Sequence, residues 1–171
     1  TLNILPITLS WFFHANLTHL LSNMLALYIF GRIIESQFKG RMLFIYFGSA
    51  LIASTVSGLA GQGGIGASGA IAGLISTAIL VRPFYLTYLI AGIPIPIILI
   101  GWIAIIADAS GILNPNPQDN IGHFAHMGGY LAVSVLVFFL NKKERSKMKT
   151  GLIINSLFIL LYGLLKAFNV F

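Results

Sequence analysis

Apolar residues gather into six runs along the chain, near 15–31, 42–59, 68–81, 84–110, 121–140 and 151–170, separated by short polar, basic or glycine-rich stretches. About 20 helical residues cross a hydrocarbon core roughly 30 Å thick, and fewer suffice where a helix starts below the surface. The pattern therefore predicts an all-α, polytopic transmembrane helix bundle. The run 84–110 carries Gly92, Pro94 and Pro96, so it is expected to kink or divide there. Residues 1–14 are too few to span. The expected organisation is a core over 1–140, a cytoplasmic basic loop over 141–150 and an additional C-terminal helix over 151–171.

Composition sharpens this picture. Of the 171 residues, 57% are hydrophobic and 8% charged, whereas a soluble domain carries roughly 25% charged residues. The chain has too little polar material to cover itself for water, so lipid is its main solvent. There is no cysteine, which excludes disulfides and thiolate metal sites. The net charge of +6 would suggest nucleic-acid binding in a soluble protein. Here the basic residues lie between the apolar runs and act as topology signals, and no nucleic-acid partner is expected. Arg32, Lys39 and Arg41 lie between the first two runs, Arg82 between the third and fourth, and Lys142, Lys143, Arg145, Lys147 and Lys149 between the last two. Those stretches alternate onto one face, which the positive-inside rule makes cytoplasmic. Only Lys166 falls elsewhere, and stretches 60–67 and 111–120 contain no Lys or Arg. Because the chain begins at Thr1, it is expected to be processed or truncated, and its start shows no signal peptide.

Polar residues within the apolar runs mark function by default, because they are costly in lipid. The first run carries His14, His19 and Asn23; the last two are four apart and share a helix face. Gly66-Ala67-Ser68-Gly69 opens the third run, and His123 and His126 stand near the start of the fifth. At about 1.5 Å per residue from their basic boundaries, Ser68, His126 and His19 lie at depths of about 21, 24 and 20 Å. A shared level brings together a serine, a base able to take its proton and return it to a leaving amine, and further hydrogen-bond donors. Peptide hydrolysis needs such donors for the developing oxyanion; His19, the Asn23 amide and backbone N–H groups at the start of the Ser68 helix are available. The glycine-rich loop 61–66 can dip below the surface, and Gly69, Ala70 and Gly73 form a thin face expected to pack on Gly128 and Gly129. Each element alone has a plainer explanation. Small residues pack membrane helices, and a membrane histidine often only bonds a neighbour, as is expected of His14 and His123. Asp108 is expected to be solvated or hydrogen-bonded near a helix end and to take no part in catalysis.

Taken together these motifs resemble the rhomboid proteases. His14-x4-His19-x3-Asn23, Glu35-x4-Gly40-Arg41-x2-Phe44-x-Tyr46, Gly66-Ala67-Ser68-Gly69 and Ala125-His126-Met127-Gly128-Gly129 match the family's motifs in order and spacing, over nearly all of 8–140. The resemblance implies an intramembrane serine protease acting on single-pass transmembrane protein substrates within the lipid bilayer, and it implies site residues by position: Ser68 as nucleophile, His126 as base, and His19 and Asn23 as oxyanion-stabilising side chains. Gly66, Gly69, Gly128 and Gly129 would be structural glycines near the site. It implies a Ser–His dyad with neither third acid nor metal, no cofactor, and a bundle lacking the family's first helix but carrying one additional C-terminal helix. The expected location is a prokaryotic cytoplasmic membrane. Departures are Leu5-Pro6 where the family often has Trp-Arg, Ala72 where an aromatic commonly packs on the base, and Val133 in place of a glycine. Two rivals stand beside this. A transporter would want inverted repeats or charged midplane residues, which the sequence does not show. A catalytically inactive rhomboid-like membrane-protein-binding protein should lack Ser68 or His126, and the chain keeps both.

Overall fold

The computed structural model describes residues 8–90 and 92–168. The expected short segment 1–14 and the Leu5-Pro6 departure lie wholly or largely outside them. Besides a helical turn at 8–10 and a 3-10 turn at Val137–Phe139, the described residues form six α-helices and one small hairpin: α1 (Leu17–Gln37), α2 (Met42–Leu59), α3 (Ser68–Val81), β1 (Leu86–Ile90), β2 (Ile93–Pro96), α4 (Ile97–Leu113), α5 (His123–Leu136) and α6 (Lys142–Ala167). Three of the helices, α1, α2 and α6, are long and apolar enough to cross a membrane. The chain is thus a polytopic, membrane-type helical bundle.

Helix α3 is the axis of the bundle. Twelve of its 14 residues are buried, which explains why it is apolar on every side. At about 1.5 Å per residue it is roughly 21 Å long, too short for a core about 30 Å thick. It is shorter than the candidate spans α1, α2 and α6 that surround or flank it, and Ser68 is its first residue. Small residues let its neighbours approach. A Cβ at Gly129 would collide with the Gly69 carbonyl, and one at Gly73 would meet Ser49 and the Gly129 carbonyl. Gly128 departs from expectation: it faces Ala53 and Val56 of α2, not α3, because consecutive residues on a helix point about 100° apart.

The sequence-derived boundaries of α2 and α3 coincide with the observed ones. Helix α1 runs six residues further than expected, through Arg32 to Gln37. Its following turn is closed by the Glu35 carboxylate, which accepts from the Gly40 N–H at 2.9 Å, with Gly40 at φ +74°. The run 84–110 does divide, but into the antiparallel β1–β2 hairpin followed by α4. Pro94 and Pro96 have no N–H to continue a helix, and Gly92 adopts φ +75° at the reversal.

The expected basic loop 141–150 is corrected: these residues are the cap and first turns of α6. Asn141 and Glu144 form a reciprocal capping box that nucleates the helix before its apolar part begins. Glu144 also pairs with Arg41 at 3.4 Å, and Lys147 donates to the Gln37 carbonyl. Two of the basic stretches assigned to one face thus meet at one end of the bundle.

Helix α6 is fixed to α3 at Gly151, where a Cβ would strike the Leu80 backbone. Asn155 adds bonds from its amide to the Ile79 carbonyl (3.1 Å) and from Trp102 Nε1 (2.9 Å).

Candidate functional site

At the N-terminus of α3, Ser68 Oγ lies 2.8 Å from His126 Nε2 in the first turns of α5. Behind the ring, His126 Nδ1 is 2.9 Å from Asp108 Oδ1 of α4. A carboxylate only accepts, so Nδ1 carries the ring proton and Nε2 is left as the acceptor for the serine hydroxyl. The other carboxylate oxygen accepts from Tyr130 Oη at 2.9 Å. Asp108 is 5% exposed. Its sequence expectation is therefore corrected in part: it is hydrogen-bonded near the end of its helix, but it is buried against the base, not solvated. The registers explain the contact. His123, His126 and Tyr130 are spaced three and four apart, so α5 presents all three on one face, and that face meets α4. The sequence singles out Asp108 as an acid near a helix end but does not show that it meets the base. The signal available was the i, i+3, i+7 polar face of α5, which needed an acceptor opposite.

His123 Nδ1 is 2.7 Å from Asp108 Oδ1, and its Nε2 is 3.2 Å from Asp119 Oδ2 in the loop before α5. The Ile121 N–H, followed by the His123 ring, holds the Asp119 carboxyl below the usual carboxylate range.

The opposite wall comes from α1. Asn16 caps this helix by accepting from the His19 N–H at 2.8 Å, so His14 precedes the helix. The two rings meet edge to face at 5.1 Å. The Ala15 N–H reaches His19 Nδ1 at 3.4 Å, which leaves the His19 proton on Nε2. Gly66, at φ +107°, lets the backbone pass close by: a Cβ there would sit 3.1 Å from His19 Nε2 and 3.4 Å from Asn23 Nδ2. The Gly66 N–H is held by the Ser10 carbonyl at 2.8 Å. Asn23 is buried, and its Nδ2 has no hydrogen-bond partner among the described residues. Two side-chain donors thus converge on the backbone just before Ser68. The N–H groups of the first α3 residues add to them, because a helix start leaves such donors without intrahelical acceptors.

Between the walls lies a cavity of about 220 Å³, lined by Asn23, Ala26, Ser68, Ile71, Ala72, Ile75, His126 and Tyr130 among others. Ala72 leaves open the space that an aromatic would fill. The structure thus brings Ser68, His126, Asn23 and Gly66 together with His19, while Gly69, Gly128 and Gly129 set the helix spacing around them.

These features define a membrane-type helical bundle with a serine–histidine pair at the N-terminus of its central helix. Residues 3–143 match the Rhomboid domain family, and the chain belongs to that family. It is 32% identical over 157 residues to "RHOMBOID-like protein 12, mitochondrial" of Arabidopsis thaliana, covering 80% of this chain and 46% of that protein. It is 33% identical over 147 residues to "Rhomboid-like protein 11, chloroplastic" of the same organism, covering 80% of this chain and 52% of that protein. The chain thus spans about half the length of these relatives. No solved structure matches it.

Proposed function

We propose that the protein is an intramembrane serine endopeptidase that cleaves single-pass transmembrane protein substrates. The observation that carries this reading is the 2.8 Å approach of Ser68 Oγ to His126 Nε2, with the ring proton held on the far nitrogen. Ser68 Oγ attacks the scissile carbonyl carbon while His126 takes its proton. The carbonyl oxygen becomes an oxyanion, and His19 Nε2, Asn23 Nδ2 and the N–H groups at the start of α3 are the donors for it. His126 passes the proton to the leaving amine and the C–N bond breaks. Water, activated by the same ring, then hydrolyses the Ser68 ester and restores the serine. None of these steps calls for a cofactor. The cavity beside Ser68 offers room for a substrate side chain next to the cleaved bond.

The test is cleavage of a fluorogenic single-pass transmembrane peptide, paired with labelling by a fluorophosphonate. Wild type should cleave and label, and Ser68→Ala should do neither. Cleavage by a pure Ser68→Ala preparation at the wild-type rate would end this reading. A wild type that neither cleaves nor labels would favour an inactive, membrane-protein-binding relative.

For setting, we place the basic end of the bundle on the cytoplasmic side of a cell membrane. The motive is the charge asymmetry of its ends. The chain has no cysteine, so a single cysteine at position 145 should resist impermeant reagents applied outside intact cells. Labelling there from outside would reverse the orientation.

A further inference from the structure

Asp108 lies in a part of α4 with little other reason to be polar. The buried residues of that helix are Ile97, Ile98, Gly101 and Asp108, and the first three lie near its start. An apolar side chain at 108 would pack α4 on α5 without the desolvation cost of a carboxylate. Instead the carboxylate receives three side-chain contacts. His126 and His123 share Oδ1, and Tyr130 takes Oδ2. His123 also faces Asp119 with its second nitrogen, so both its ring nitrogens look at carboxylate oxygens. Both contacts are satisfied at once only when both nitrogens carry protons, so the site is arranged to hold His123 as a cation between two carboxylates when the ring is protonated.

A second observation supports the arrangement. Gly111, one turn after Asp108, has no side chain where a Cβ would overlap the His123 ring. Its bareness lets the ring reach Asp108. Ala72, which lines the cavity together with His126, brings no aromatic ring against the base from α3.

We infer that Asp108 is a positioning residue that fixes the tautomer and orientation of His126, and that His123, clamped between Asp108 and Asp119, holds Asp108 in place. The inference rests on the peptidase reading above. Its chemistry is specific. With Asn at 108, the amide can donate to His126 Nδ1 and drive the ring proton to Nε2, where it can no longer accept from Ser68. Loss of the analogous acid in a serine protease triad costs about 10⁴ in kcat.

The experiment compares Asp108→Asn, His123→Gln and Gly111→Ala with wild type and Ser68→Ala, using the fluorogenic transmembrane peptide in proteoliposomes. Asp108→Asn should lower kcat by about 10² to 10⁴ with KM within about threefold. His123→Gln and Gly111→Ala should lower kcat by roughly 10- to 100-fold at similar KM, since misplacing a catalytic group by about 1 Å costs up to about 10². Gly111→Ala alters no ionisable group, so it separates placement from charge. A purely structural cluster would instead lower the thermal midpoint while leaving kcat per folded molecule intact. If folded Asp108→Asn stays within tenfold of wild type in kcat, the inference is overturned. If Asp108→Asn does not fold, the other two decide: kcat within threefold of wild type in both overturns it, and a loss of tenfold or more in either supports it. Ser68→Ala keeps the two readings apart, because a fully active Ser68→Ala would sink the peptidase assignment whatever the other variants do.

Discussion

The two walls of the cavity are built on opposite principles. On the α4–α5 side the polar atoms are partnered: Ser68 to His126, His126 to Asp108, Asp108 to Tyr130 and His123, and His123 to Asp119. On the α1 side, Asn23 Nδ2 and His14 Nε2 are buried without a partner among the described residues. An unsatisfied buried polar group costs about 1–3 kcal/mol, so the α1 wall stores a penalty that the other wall avoids. A proton relay must be aligned before substrate arrives, and its bonds exist in the resting state. Oxyanion donors work only if they bind charge that appears later, so an idle donor such as Asn23 Nδ2 in the resting state is what the proposed transition-state binding requires.

Removing the relay should have the largest effect. Ser68→Ala and His126→Ala should each lower kcat by about 10⁴ or more, with the circular dichroism spectrum and thermal midpoint close to wild type. Were either variant to keep a tenth of wild-type activity in a preparation free of other proteases, the partnered wall would not be the catalytic one.

Removing the proposed oxyanion donors should cost less activity, and at Asn23 it should move stability the other way. Asn23→Ala and His19→Ala should each lower kcat by about 10²–10³, roughly 2.7–4 kcal/mol, with little change in KM. Asn23→Leu should lose the same activity and hold or raise the thermal midpoint, because it replaces an unpaired buried amide with an apolar group of similar size. A fall in midpoint with kcat preserved would mean that Asn23 is a structural residue whose partner was missed.

The difference between the walls also explains what could be read from the sequence. Helices α2 and α3 were legible to the residue because their ends are written locally, by Arg41 before α2 and by the glycine loop before Ser68. The shared depth of Ser68, His126 and His19 followed from counting helix rise to basic boundaries. The hairpin at 86–96 was only half legible: Pro94, Pro96 and Gly92 forbid a continuous helix but do not choose strands over a kink. The basic stretch 142–149 looked like a loop because charge was read as solvation, and the Asn141–Glu144 capping box that makes it helical was overlooked. Asp108 was legible as a hydrogen-bonded residue near a helix end, but its partners were not. Its partners lie 15 to 22 residues away on α5, and no spacing rule along one helix connects them. Only the packing of α4 on α5 does.

The smallest effect is expected at His14, and it probes the α1 wall from behind. The His14 Nδ1–H donates to the Phe12 carbonyl at 3.2 Å, which leaves Nε2 as the unpartnered acceptor. The ring edge packs on His19 at 5.1 Å, and His19 in turn presents its Nε2 toward Gly66. His14 therefore bears on the oxyanion side through the packing of one ring on another. Two variants separate packing from polarity. His14→Phe keeps the edge contact and loses both nitrogens, whereas His14→Ala loses the ring. An aromatic pair contributes about 0.5–1.5 kcal/mol beyond its buried area, equivalent to about 2- to 13-fold if all of it orients His19. His14→Ala should thus lower kcat by no more than about tenfold and reduce the thermal midpoint, and His14→Phe should recover most of both. If His14→Phe instead loses as much kcat as His19→Ala, the His14 nitrogens act on the reaction directly, and the α1 wall contains a working donor or acceptor that its resting geometry assigns to structure.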